Sequence, residues 1–135
     1  MGSAFAMKLT DIQPTQLFIS KEKLAEVLRE FDPSRMEPIP VKRLGDDVVM
    51  TDGHTRGFAA FLCGMQELPV VRDEDELDWE AYEICVAWCK EGAIRSVADL
   101  AGRVIGPAEY EEWWLGRCRK MHEELARRRG LHDDA

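Results

Sequence analysis

The stretch VVMTDGHTRGFAAFLCG, residues 48–64, changes character at its middle. Val48-Val-Met-Thr51 reads as a strand. From Thr55 the apolar residues switch to helical spacing, with Phe58, Phe61, Leu62 and Met65 on one side and Gly64 as a stop. Between them stand Asp52, Gly53, His54, Thr55 and Arg56. A strand that turns through a glycine into a helix points unpaired backbone N–H groups at the turn, and the helix dipole adds roughly half a positive charge there. Such a turn can hold an anion. Gly53 permits close approach, Thr55 offers a hydroxyl, and Arg56 offers a planar fork suited to phosphate oxygens. Asp52 would repel a bare phosphate, so it makes sense holding a metal, orienting His54 or accepting a proton. His54 can donate to an oxyanion or shuttle a proton. The same residues also fit a plain helix start, with Asp52 as cap and His54 and Arg56 solvated.

On the N-terminal side, Ile12–Ile19 is short, apolar and broken by Pro14, which predicts an irregular or edge strand. Ser20 can cap a helix whose Leu24, Val27, Leu28 and Phe31 share a face. Asp32-Pro33-Ser34 stops it. Ile39–Leu44 and Val48–Thr51 flank Gly45-Asp46-Asp47, which predicts a hairpin. Leu68–Val71 is a further short strand. Residues 1–6 read as a cloning scar ahead of a start at Met7 and are set aside from the fold expectation.

Beyond Arg72 the sequence becomes acidic and helical. Residues 1–72 hold nine Lys/Arg against ten Asp/Glu, and residues 73–135 hold nine against sixteen, so most of the net charge of -8 lies in the second half. A helix is expected near Trp79–Glu91. Ser96-Val-Ala-Asp99 is a capping box with Asp in place of Glu. Pro107 suits the first turn of a last helix carrying Tyr110, Trp113, Trp114, Cys118, Met121 and Leu125 on one face. Val97–Arg119 can be threaded through a helix-turn-helix, but Glu109, Glu111 and Glu112 would meet phosphates, which argues against DNA binding through this half. Cys85, Cys89, Cys118 and His122 stand at i, i+4 on two helices and offer a Cys₃His zinc set, against a reading as small core residues. The four aromatic Trp residues read as core rather than base-stacking platforms. No apolar run is long enough to span a membrane, and the expected compartment is the cytoplasm.

Residues 9–71 resemble the N-terminal domain of ParB proteins and its sulfiredoxin-like relatives. The resemblance rests on "L-x-x-I-x-P" at Leu9, Ile12 and Pro14, "PIPV" at 38–41, the "DGHTR" turn into an Ala-rich helix, and "LPVV" at 68–71. It implies an α+β, ParB/sulfiredoxin-like domain over residues 7–72 with a helical extension over 73–135. In ParB the matching "G-x-x-R" contacts nucleotide phosphates, which implicates Gly53 and Arg56, with His54 and Thr55 between them. Sulfiredoxins carry a reactive cysteine where this chain has His54, so the resemblance does not extend to their chemistry. Free serine kinases of the superfamily have a similar "D-G-H-T/H-R" turn and a glutamate base in the N-terminal segment. The stretch QPTQLFIS at 13–20 has no carboxylate, and Glu22 is the nearest. The resemblance therefore implies a nucleotide or other phosphate ligand, magnesium accompanying a nucleotide, and either phosphoryl transfer or nucleotide hydrolysis with His54 or Asp52 as catalytic groups, or a partition-type protein- or DNA-interaction module without turnover.

Overall fold

Alternation of apolar residues through Ile39 and Val41 builds strand β3 (Ile39–Leu44), which reverses at Gly45-Asp46 into β4 (Asp47–Met50) in the computed structural model, which describes residues 3–130. β4 feeds helix α2 (His54–Leu62), and α2 returns the chain into β5 (Glu67–Arg72), parallel to β3 with Ile39 opposite Val70. Strand β1 (Phe5–Lys8) closes the sheet antiparallel to β5, giving the order β1-β5-β3-β4. The outer edge of β4 is covered by the segment before the first helix. Gln13 donates its N–H to Val48 O at 2.8 Å and accepts from Met50 N at 2.9 Å. Ile39, Val41, Val49, Met50, Leu68 and Val70 are buried, as are Gly57–Ala60 of α2.

Strand β2 (Ile19–Ser20) leads into α1 (Lys21–Glu30), capped by Ser20, whose side chain accepts from Lys23 N. The acidic approach ends at Asp78, which caps α3 (Trp79–Glu91) by accepting from Ala81 N. The capping box of Ser96 and Asp99 forms as expected, but the helix it opens is a 3₁₀ helix, Val97–Arg103. It runs into β6 (Val104–Ile105), which pairs in parallel with β2. The last helix begins with α4 (Pro107–Glu109), widens into a π-helical stretch (Tyr110–Leu115), and continues as α5 (Gly116–Arg128). The chain is thus α+β with a helical C-terminal half.

The two halves share one core. Ile12, Ile19, Met50 and Phe58 lie in a continuous buried cluster with Cys89, Ile94, Leu100 and Trp114. Polar ties cross the same seam. The buried Gln13 amide donates to Ile94 O at 2.9 Å, Tyr82 Oη donates to Thr51 O at 3.1 Å, and Lys90 pairs with Asp47 at 2.7 Å.

Four expectations need correction. Phe5 and Ala6 of the segment set aside as a scar are strand residues, paired with Val70 and Pro69. Residues 97–119 do not form a helix-turn-helix, since a strand interrupts them. Leu28 and Leu62, placed on apolar faces, are exposed. Trp113 is exposed while Trp114 is buried, because adjacent helical residues point about 100° apart and only one can face the core. Among the described residues, no helix is long and apolar enough to cross a membrane.

Candidate functional site at the start of α2

Gly53 stands at the N-cap of α2 with φ +78°, the left-handed region that other residues adopt at a cost. A Cβ added there would lie 3.0 Å from the Arg56 guanidinium and 3.1 Å from Ile39 Cδ1, so the glycine is fixed by space as well as by conformation. Gly53 has no side chain with which to cap α2. The Asp52 carboxylate does not cap it either. Oδ1 instead accepts from the N–H of Gly53, at 2.8 Å. The first-turn amides of α2 therefore remain available at a helix start that carries the positive end of the dipole.

His54 is 5% exposed. Its Nε2 accepts the backbone N–H of Thr15 at 2.9 Å. Thr15 is held in turn by its hydroxyl, which donates to Met50 O at 2.8 Å. A ring nitrogen that accepts a hydrogen bond from an amide carries no proton of its own, so the neutral ring is protonated at Nδ1. Burial pushes the pKa down to about 4, against a smaller upward pull from Asp52. The proton shuttle expected from the sequence is thus replaced by a fixed, neutral N–H donor. Its role as a proton acceptor at neutral pH is lost, because the lone pair that would take the proton already holds Thr15.

Arg56 is partly committed to structure. Nε donates to Glu37 O at 3.1 Å and a terminal nitrogen donates to Pro38 O at 3.0 Å. Those bonds tie the start of β3 to α2 and leave the remaining guanidinium donors for a ligand. Arg56, Thr55 and Gly53 line a cavity of about 320 Å³, where Lys23 of α1 joins them. Lys23 and its position were missed in the sequence. Its partner residues lie on another element, and nothing local marks a surface lysine as facing them.

Asp52, His54 and Gln16 also line a second cavity, of about 260 Å³, on the other side of the turn. The helical half builds its far wall, with Tyr82, Cys85, Trp114 and Cys118 among the lining residues. Gln16 joins the walls, donating to Phe18 O at 2.8 Å and to Tyr110 Oη at 3.2 Å. A larger depression, about 860 Å³, lies by Leu9, Phe61 and Met65 and contains none of the turn residues.

The zinc set does not assemble. Cys85, Cys118 and His122 face the second cavity, but Cys89 does not line it, and its thiol lies 3.7 Å from Gln16 O. Among the described residues, no three His, Cys, Asp or Glu side chains are placed to hold a metal ion. Burial raises Cys85 and Cys89 to about 12 and Cys118 to about 11, which favours neutral thiols.

No family model matches this sequence. No curated protein matches it either. Among solved structures, protein Atu1540 from Agrobacterium tumefaciens is similar at 15% sequence identity and a TM-score of 0.44 over 62% of this chain, which spans 47% of the length of that protein.

Proposed function

We propose that this protein binds a phosphate-bearing small molecule at the N-terminus of α2. The observation that carries the reading is the uncapped start of α2 opening on a cavity shared with Lys23, Thr55 and Arg56. Free amides, a helix dipole and two cations converge there, which is what a phosphate group requires. Glu26 and Asp52 line the same cavity and limit its positive potential, which suits one phosphate group better than a polyphosphate chain.

The order of elements also supports kinship with the ParB/sulfiredoxin-like domain. A hairpin, a left-handed glycine turn, a helix rich in buried small residues and a return strand parallel to β3 follow one another over residues 39–72. Binding is the part of that resemblance with physical support in this chain. Phosphoryl transfer would need a group to deprotonate the acceptor. With His54 tied to Thr15, Asp52 is the carboxylate left in the turn. A magnesium ion would need a ligand set that Asp52 alone does not supply, with Oδ1 already accepting from Gly53.

Calorimetric titration with inorganic phosphate, ATP, ADP and CTP tests the reading. Wild type should bind at least one of them, and Lys23→Ala, a change at an exposed side chain, should weaken binding about tenfold. Failure of all four to bind would remove the proposal.

A further inference from the structure

His54 is 95% buried by side-chain and backbone neighbours, yet its ring N–H has no acceptor among the described residues. Nε2 is taken by Thr15, and among the described residues no fully buried side-chain nitrogen or oxygen lacks a partner, so Nδ1 keeps some exposure beside the cavities that His54 lines. An N–H donor held in one tautomer and left accessible beside a cavity can meet a ligand acceptor.

The two cavities meet at the turn. Asp52, His54 and Gln16 line both of them. Their characters differ. One has Lys23, Arg56 and the α2 amides. The other has a wall of Tyr82, Trp114 and Met121, with the carboxylates of Asp52 and Asp78 and the His122 ring among its lining groups. Asp52 can only accept, and the His54 ring presents a donor. A hydroxyl group satisfies both at once, accepting from Nδ1–H and donating to the carboxylate. A carbon skeleton bearing hydroxyls also suits the aromatic wall, where its C–H faces pack against Tyr82 and Trp114.

From this we infer that the ligand is a small phosphorylated polyol, with its phosphate on the α2 amides, Lys23 and Arg56 and its hydroxylated body reaching past Asp52 and His54 into the cavity walled by the helical half. The inference rests on the phosphate reading above and narrows it to one chemical class. It also gives the helical half a role, since Tyr82 of α3 and Trp114 and Met121 of the last helix complete the second cavity.

Four probes separate the possibilities: inorganic phosphate, glycerol 3-phosphate, ribose 5-phosphate and ATP, each titrated into the full chain by calorimetry. A polyol phosphate should bind about tenfold more tightly than inorganic phosphate, as expected for added hydrogen bonds to a charged group. Asp52→Ala should move the two in opposite directions. Polyol phosphate should weaken for loss of the hydroxyl partner, while inorganic phosphate should hold or strengthen for loss of a negative charge. Cys118→Leu, which intrudes on the second cavity, should erase the preference and leave inorganic phosphate unchanged. If that variant does not fold, Asp52→Ala decides alone, because its side chain is exposed. Equal affinity for inorganic and polyol phosphate, parallel changes in Asp52→Ala, or tightest binding of ATP would overturn the polyol assignment and leave the phosphate site standing. No binding of any probe would overturn both.

Discussion

Two helix starts in this molecule are built in opposite ways. At residues 96–99, Ser96 and Asp99 satisfy each other's backbone, and Asp99 Oδ2 takes a second amide at 2.9 Å from Arg95. At residues 52–56 the N-cap is a glycine with no side chain, and the nearest carboxylate bonds the amide before the helix. α1 and α3 follow the first pattern, with Ser20 and Asp78 as caps. A capped start has a side chain already occupying one of its free amides. The start of α2 is left open, and it is held by Arg56 bonded to Glu37 and Pro38 just ahead of β3 and by His54 bonded to Thr15. The contrast separates stability supplied by a cap from stability supplied by distant residues around an uncapped turn.

Acid is the most forceful way to break the open start. His54 is neutral in the fold with a pKa of about 4, against about 6.5 when unfolded. The unfolded chain therefore binds more protons between those two values, so stability is full above pH 6.5 and falls as pH drops toward 4. A shift of that size corresponds to about 3 kcal/mol. The carboxylates Asp73 and Asp78 are lowered too and likewise lose their contribution as pH falls, but only below their ordinary range, near 3.8. Urea unfolding at pH 7.0, 5.5 and 4.3 should show most of the loss within that interval. His54→Gln should be less stable at pH 7 and nearly flat across it. An unchanged slope in the variant would mean that another group titrates. In wild type, ¹⁵N spectra of the ring should report the Nδ1–H tautomer from pH 8 down to 5.

Gly53→Ala is the next largest. A left-handed non-glycine residue costs about 1–3 kcal/mol. The new Cβ must also displace the Arg56 guanidinium and Ile39, at 3.0 and 3.1 Å. Arg56 then moves off Pro38 O, so the variant should lose stability by about 2 kcal/mol and lose phosphate affinity together. Gly102→Ala is the matched control. Nothing lies within 4 Å of its added Cβ and its φ is not in the left-handed region, so stability should change by less than about 0.5 kcal/mol. Similar thermal midpoints for the two variants would show that the turn is not under the spatial constraint seen here.

Much of the open start was legible in the sequence, and the reason is local. Gly53 between a strand and a helical period announces the turn, Ser96 and Asp99 announce a box, and the acidic run beyond Arg72 announces the helix from Trp79 to Glu91. What stayed hidden is non-local. The partner of His54 is an amide 39 residues away, so a buried neutral histidine and a solvated one look the same in the sequence. The β2–β6 pair joins two-residue strands from opposite halves, too short to show a period of two. The π-helical turn at Tyr110–Leu115 has no residue signature, and neither does the choice of which of its two adjacent tryptophans is buried. The outward placement of Trp113 brings it instead against Phe18, with ring centroids 5.8 Å apart. The zinc set failed for a related reason: helical spacing puts Cys85 and Cys89 on one face, but only packing tells which of them meets Cys118.

The smallest effect belongs to the closed start, and it sharpens the contrast because it should touch stability alone. Ser96 is buried, and its side chain accepts the N3 amide while Asp99 returns a bond to Ser96 N at 3.1 Å. Ser96→Ala removes the first bond and keeps the second, and the Asp99 amide retains only its bond to Ser96 O at 3.0 Å. A lost cap costs about 1 kcal/mol. The residue lies at the seam where the 3₁₀ helix packs Val97 and Leu100 into the shared core, so water cannot fully replace the hydroxyl and the upper part of the usual range of about 0.5–2 kcal/mol applies. The urea midpoint should fall while the m value stays constant, since the surface exposed on unfolding does not change. Phosphate affinity should stay within about twofold of wild type, because Ser96 lines neither cavity beside Asp52 and His54. A Ser96→Ala variant that lost affinity along with stability would tie the two helix starts together through the core, and the division between capped structural ends and an open binding end would have to be given up.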